Sequence, residues 1–134
     1  LEGVPKSLPA IIKAFRIQEK VRGIGFDWED KSQVWKKVLE EIEELKVEVK
    51  KGDINRIESE FGDVLFALTN YARFINVNPE DALERTNKRF IRRFQIMEEE
   101  IGKKGLNLSE MSLSDMDVYW EQAKKMYYTE NKID

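Results

Sequence analysis

The sequence predicts an all-α protein, a bundle of four or five helices. Apolar residues recur at three-and-four spacing through most of the chain. No segment alternates with the period of two that a half-buried strand needs. The interruptions fall at Gly, Pro, Asn and Asp, where helices start and stop.

Taken in order, the first helix is expected to start around Ser7, Leu8 and Pro9. It keeps Ile11, Ile12, Phe15 and Val21 on one side until Gly23 and Gly25 end it. The segment GFDWED then reads as a loop, with Phe26 and Trp28 tucked into the core and Asp30 or Ser32 capping the second helix. From about Ser32 to Lys51, Trp35, Val38, Ile42, Leu45 and Val49 mark this second helix as amphipathic, and Gly52 and Asp53 stop it. A third runs from about Ile54 to Asn76, with Ile57, Phe61, Val64, Leu65, Leu68, Ala72 and Ile75 as its buried stripe. Asn78, Pro79 and Glu80 supply a cap, a first-turn proline and a first-turn acid for a fourth helix. That helix reaches about Ile101, with Leu83, Phe90, Phe94, Met97 and Ile101 inward. Gly102 and Gly105 open a loop, and Ser114 with Asp117 reads as a capping box before a last helix carrying Tyr119, Trp120 and Tyr127.

Composition narrows the chemistry. A chain of 134 residues, 41% hydrophobic and with three prolines, is expected to form one domain over 1–134. No run approaches twenty apolar residues and no charged-then-apolar leader is present, so neither a membrane span nor export is expected. With no Cys and no His, thiolate chemistry, imidazole bases and imidazole-held zinc are excluded. Catalysis would have to run on carboxylates, Lys, Arg and water. A net charge of −3 gives no global attraction to nucleic acid or anionic lipid, so local clusters must carry recognition.

Two acidic clusters stand out: VLEEIEEL at 38 to 45 and ESEFGD at 58 to 63. On the second helix Glu41 and Glu44 fall side by side on one flank, with Lys37 and Glu48 near the same line. Glu60 and Asp63 fall together on the third. Folding the chain back at Gly52 sets Glu44 level with Glu60 and Glu41 level with Asp63, since each pair has its sequence midpoint at 52. Converging carboxylates repel and raise one another's pKa unless a cation sits among them. All-oxygen ligation suits Mg²⁺ or Mn²⁺, ions that commonly serve phosphates. A divalent-cation site and a solvated acidic hairpin both fit the periodicity.

Basic and aromatic residues carry a second signal. Arg85, Arg89 and Arg93 form one stripe on the fourth helix, flanked by Lys88 and Arg92. A guanidinium row suits polyphosphate oxygens. It equally suits a solvated face paired with Glu80, Glu84 and the acids at 98 to 100. Trp120 and Lys124, one turn apart, offer a ring for a base and a cation for a phosphate, or a core Trp beside a surface Lys.

Taken together, these residues resemble a known family. EEIEE (40 to 44) and EFGD (60 to 63) look like the EExxE and ExxD motifs of the MazG-type all-α nucleoside triphosphate pyrophosphohydrolases. GVPKSLPAIIKAFRIQEKVRGIGFDW, GDVLFALTNYAR, TNKRFIRRF and YWEQAKK are also similar to segments of the C-terminal domain of tandem MazG proteins, in order, over about residues 3 to 125. The start at Leu1 rather than Met fits an excised piece of such a two-domain protein.

The resemblance implies Mg²⁺-dependent hydrolysis of a nucleoside triphosphate to monophosphate and pyrophosphate by a cytoplasmic housecleaning enzyme, dimeric or of higher order. Glu41, Glu44, Glu60 and Asp63 match the family's metal ligands, and Glu40 completes the first motif. Lys37, Arg89 and Arg93 match phosphate-handling positions; Trp120, Lys124 and Asn87 match nucleotide-contacting ones. Ser59 stands where the family often has Glu, and Arg89 where Lys is commoner. Narrower enzymes acting on dUTP, dCTP or phosphoribosyl-ATP would share the acids but differ in the base pocket. A non-catalytic nucleotide-binding or dimerisation module would bind without turnover.

Overall fold

The computed structural model describes residues 1–131, and among them every regular element is helical. The α-helices are α1 (Ala10–Arg22), α2 (Lys31–Lys51), α3 (Ile54–Phe74), α4 (Pro79–Lys103) and α5 (Leu113–Asn131), with one short 3-10 turn at Leu108–Glu110 before α5. Two compact units follow the chain, one over Leu1–Ala82 and the other from Leu83 onward.

In the first unit α3 packs against both α2 and α1. Capping explains the bounds. Asp30 caps α2, its carboxylate accepting from the Ser32 and Gln33 amides at 2.9 and 3.1 Å. Asp53 caps α3 by accepting from Asn55 and Arg56. Between them Gly52 ends α2 in the left-handed conformation at φ 82°, which a residue without Cβ reaches at no steric cost. Helix α1 opens at Ala10 with Pro9 as its cap and no side-chain hydrogen bond there, so Ser7 does not cap it.

The core of this unit is narrower than the apolar stripes. Val34, Val38, Val64, Ala67 and Ala72 are buried. Trp35 and Val49 on α2, Phe61, Leu65 and Leu68 on α3, and Ile75 just after it are exposed instead of buried. Each helix here has at most two neighbours, so its apolar arc is wider than the surface those neighbours cover. Phe26 and Trp28 also correct the expectation: they stand 75% and 45% exposed rather than in the core. Their loop is held by a two-pronged ion pair from Arg73 to Asp27 at 3.2 and 2.7 Å.

In the second unit Ile96, Met97, Ile101 and Ala123 form a buried cluster, with Phe94, Tyr119 and Trp120 packed against it. Leu83 and Phe90 are exposed rather than inward. Helix α5 starts earlier than the Ser114 signal suggested. The cap is Ser112, whose Oγ accepts from the Asp115 amide at 3.1 Å while its carbonyl accepts from Met116.

Candidate metal and phosphate site

The α2–α3 hairpin sets the site. Because Gly52 turns the chain within one residue and Asp53 immediately caps α3, the two helices run back along one another with a fixed register. Residues equidistant from the turn therefore meet. Carboxylate oxygens of Glu41, Glu60 and Asp63 all lie within 4.8 Å of one another. Glu44 comes up against Glu60, so the fourth acid borders the triad.

Electrostatics describe an under-neutralised cluster. Glu41 is 6% exposed, and Lys37 Nζ donates to its Oε1 at 2.9 Å. Its Oε2 is buried without a partner, as is Oε2 of Glu60. Burial raises the pKa of Glu60, and the carboxylates of Glu44, Asp63 and Glu41 raise it further. Lys37 is shifted upward by its hydrogen bond to Glu41, with Glu40 and Glu44 adding to the same direction. One ammonium thus faces several acids. Two buried carboxylate oxygens without donors, in an all-oxygen set spaced to close on one point, fit a hard divalent cation.

The remaining candidates fall in different places. Glu40 is solvent-facing, 3.6 Å from Lys37. Glu43 points away and pairs with Lys46 at 3.0 Å. In the second unit Arg92, which flanks the basic row, is held by the carboxylates of Glu130 and Glu99. Arg89 reaches Thr86 Oγ1 at 3.5 Å. The Arg93 guanidinium lies over the rings of Tyr127 and Tyr128, 5.0 Å from each, and its Nε is buried without a partner. Asn87 is exposed. Lys124 pairs with Glu121 at 3.1 Å. Trp120 is half-buried, its ring 5.2 Å from that of Phe90 and tilted 45° to it.

Sequence reasoning passed over Gln18, which is only 4% exposed and donates from Nε2 to the Phe66 carbonyl at 2.9 Å. A signal existed: Ile11, Phe15 and Gln18 share one face of the first helix, so an amide stands in an apolar row.

Comparison with known proteins agrees with this architecture. The MazG nucleotide pyrophosphohydrolase domain matches residues 29–102, more than half of the chain. The chain belongs to the MazG family. Its match takes in the whole α2–α3 hairpin, and an all-α chain is what the MazG fold requires. The MazG domain is 48% identical over 117 residues to a Thermotoga maritima protein named nucleoside triphosphate pyrophosphohydrolase/pyrophosphatase MazG, covering 87% of this chain and 45% of that one. It is 37% identical over 127 residues to the Escherichia coli K12 nucleoside triphosphate pyrophosphohydrolase, covering 93% of this chain and 48% of that protein. A Bacillus subtilis protein, YabN, is 48% identical over 126 residues, 93% of this chain and 26% of its own. The chain thus spans about half the length, or less, of these relatives. Among the described residues no helix is long and apolar enough to cross a membrane.

Proposed function

We propose that the chain hydrolyses nucleoside triphosphates to the monophosphate and pyrophosphate, with a divalent cation, Mg²⁺ in the first instance, at the α2–α3 carboxylates. The observation that carries this reading is the triad of Glu41, Glu60 and Asp63, with two buried, donorless oxygens within it, inside the segment matched to the family. The names of the relatives support the same activity. A solvated acidic hairpin would keep its acids in water, whereas Glu41 is removed from it.

In this reading Glu41, Glu60 and Asp63, with Glu44 beside them, hold the cation. A bound divalent ion supplies positive charge to the triphosphate and makes a nearby water more acidic. Glu40, solvent-facing and next to Lys37, accepts the proton from the attacking water. Lys37 leaves Glu41 for a phosphate oxygen as the charge on the leaving pyrophosphate develops. On the second unit, Arg89 and Arg93 are the candidates for phosphate oxygens, and Asn87, Trp120 and Lys124 those for the nucleotide, as the family resemblance implies. The bond between the α- and β-phosphates breaks, water supplies the new oxygen, and pyrophosphate departs.

Oligomerisation belongs to the same proposal. Phe61, Leu65 and Leu68 make one apolar stripe on α3, 53%, 42% and 41% exposed, and a second copy covers it. The setting is nucleotide-pool housecleaning in the cytoplasm. Alanine at Glu41 or at Asp63 tests the mechanism: each variant is expected to lose Mg²⁺-dependent pyrophosphate release by at least about a hundredfold. Turnover that survives either change would remove the hairpin from the reaction.

A further inference from the structure

Two arginines side by side on α4, both in the second unit, are held in opposite ways. Arg92 is closed by carboxylates. Its Nε and Nη2 donate to Glu130 at 3.2 and 3.0 Å and its Nη1 to Glu99 at 3.4 Å, so each of its three nitrogens has an acceptor. Arg93 meets aromatic rings instead, with its guanidinium carbon 5.0 Å from the centroids of both Tyr127 and Tyr128. These two rings lie 5.9 Å apart at 73° to one another, which makes a two-sided corner around the guanidinium.

The corner is fixed by what surrounds it. Tyr127 packs on the buried cluster of Ile96, Met97, Ile101 and Ala123, and its carbonyl accepts from Asn131 Nδ2 at 2.9 Å. The pair between Arg92 and Glu130 ties the same turn of α5 to α4. Tyr128 is 43% exposed, so one wall of the corner is anchored in the core and the other faces solvent.

A ring clamp and a carboxylate clamp do different things to an arginine. A carboxylate cancels its charge and takes up its N–H groups. A ring face attracts the cation through its quadrupole but carries no net charge, so the positive charge stays available to another anion. Arg93 Nε is also buried with no acceptor, an unmet donor of the kind that Arg92 does not have. Of the two neighbours, Arg92 is spent on holding α5, and Arg93 is held ready.

We propose that Tyr127 and Tyr128 are positioning residues for Arg93, fixing its guanidinium in a charged, unneutralised state for a polyphosphate oxygen. The proposal rests on reading Arg93 as a phosphate ligand of a nucleoside triphosphatase, and it adds what presents that ligand. Neither tyrosine touches the substrate.

Tyr128, the exposed wall, is the position to change. Tyr128→Leu keeps apolar bulk but removes the ring, and circular dichroism checks that it is folded. It is expected to raise KM for a nucleoside triphosphate about fivefold while kcat changes less than about twofold, because a contact that only presents a binding cation contributes equally to ground-state and transition-state binding. Tyr128→Phe, which keeps the ring, should restore the wild-type KM. In an Arg93→Gln background, Tyr128→Leu should have no further effect. An unchanged KM in Tyr128→Leu, an equal rise with and without Arg93, or a Tyr128→Phe as impaired as Tyr128→Leu would overturn the proposal. Titration calorimetry with inorganic tripolyphosphate supplies a readout apart from turnover: Kd should rise about fivefold in Tyr128→Leu, and only where Arg93 is present. Such binding without any pyrophosphate release from nucleoside triphosphates would sink the hydrolase reading while leaving the clamp supported. Tripolyphosphate binding that is indifferent to Arg93 would overturn the clamp.

Discussion

Burial and three neighbouring carboxylates, those of Glu44, Asp63 and Glu41, all push the pKa of Glu60 upward. A carboxyl whose pKa is raised on folding weakens the fold as pH rises through the folded value, because ionisation then costs more in the native state than in the unfolded one. Glu60→Gln removes that cost. Without divalent ions at pH 7, the variant is expected to melt at a higher temperature than the wild type in calorimetry. The order reverses in function: Mg²⁺ at a hundred times its Kd should stabilise the wild type by about 2.7 kcal/mol, and the variant by less. Asp27 is the opposite case. The Arg73 hydrogen bond holds its carboxyl below the usual range, so its stabilisation is complete above the unfolded pKa and is lost as pH falls through the lower, folded one. Asp27→Asn is expected to cost about 1 kcal/mol at pH 7, near the upper end for a solvent-screened pair because the contact is two-pronged. The variant should also lose less stability than the wild type below about pH 4. Urea melts at pH 7 and pH 3 measure both effects.

At the scale of elements the α2–α3 hairpin depends on Gly52. Alanine there must hold φ near 82°, so Gly52→Ala is expected to cost about 1 kcal/mol in urea unfolding and to weaken divalent-cation affinity by disturbing the register. An unchanged melt would contradict the left-handed turn. This hairpin was legible in the sequence, because glycine, a capping aspartate and two amphipathic stripes fix both the turn and the pairing of Glu41 with Asp63. Other elements were less so. Periodicity tells which side of a helix is apolar, but not how much of that side a neighbour covers, and so Phe61, Leu65 and Phe90 were expected inside. Ser114 was the expected cap of α5, whereas the cap is Ser112, two residues earlier, which the capping-box pattern did not single out. The outward setting of Phe26 and Trp28 depends on Arg73, 46 residues from Asp27, a pairing that no local pattern announces.

The molecule as a whole leaves an apolar stripe on α3 uncovered within its own unit, and a second copy of the chain is the proposed cover. Light scattering after gel filtration should give at least about twice the 15.8 kDa chain mass, and Leu65→Lys should lower it; a monomer in the wild type would contradict that. The chemistry proposed for the hairpin is tested most directly by ³¹P NMR of a nucleoside triphosphate mixed with the wild-type chain and Mg²⁺, with Glu41→Gln and a chelator as the parallel arms. Monophosphate and pyrophosphate are expected to appear together in equal amounts, and only with the intact triad and the metal. Orthophosphate and the diphosphate as the first products, or equal turnover by Glu41→Gln, would contradict hydrolysis at these carboxylates.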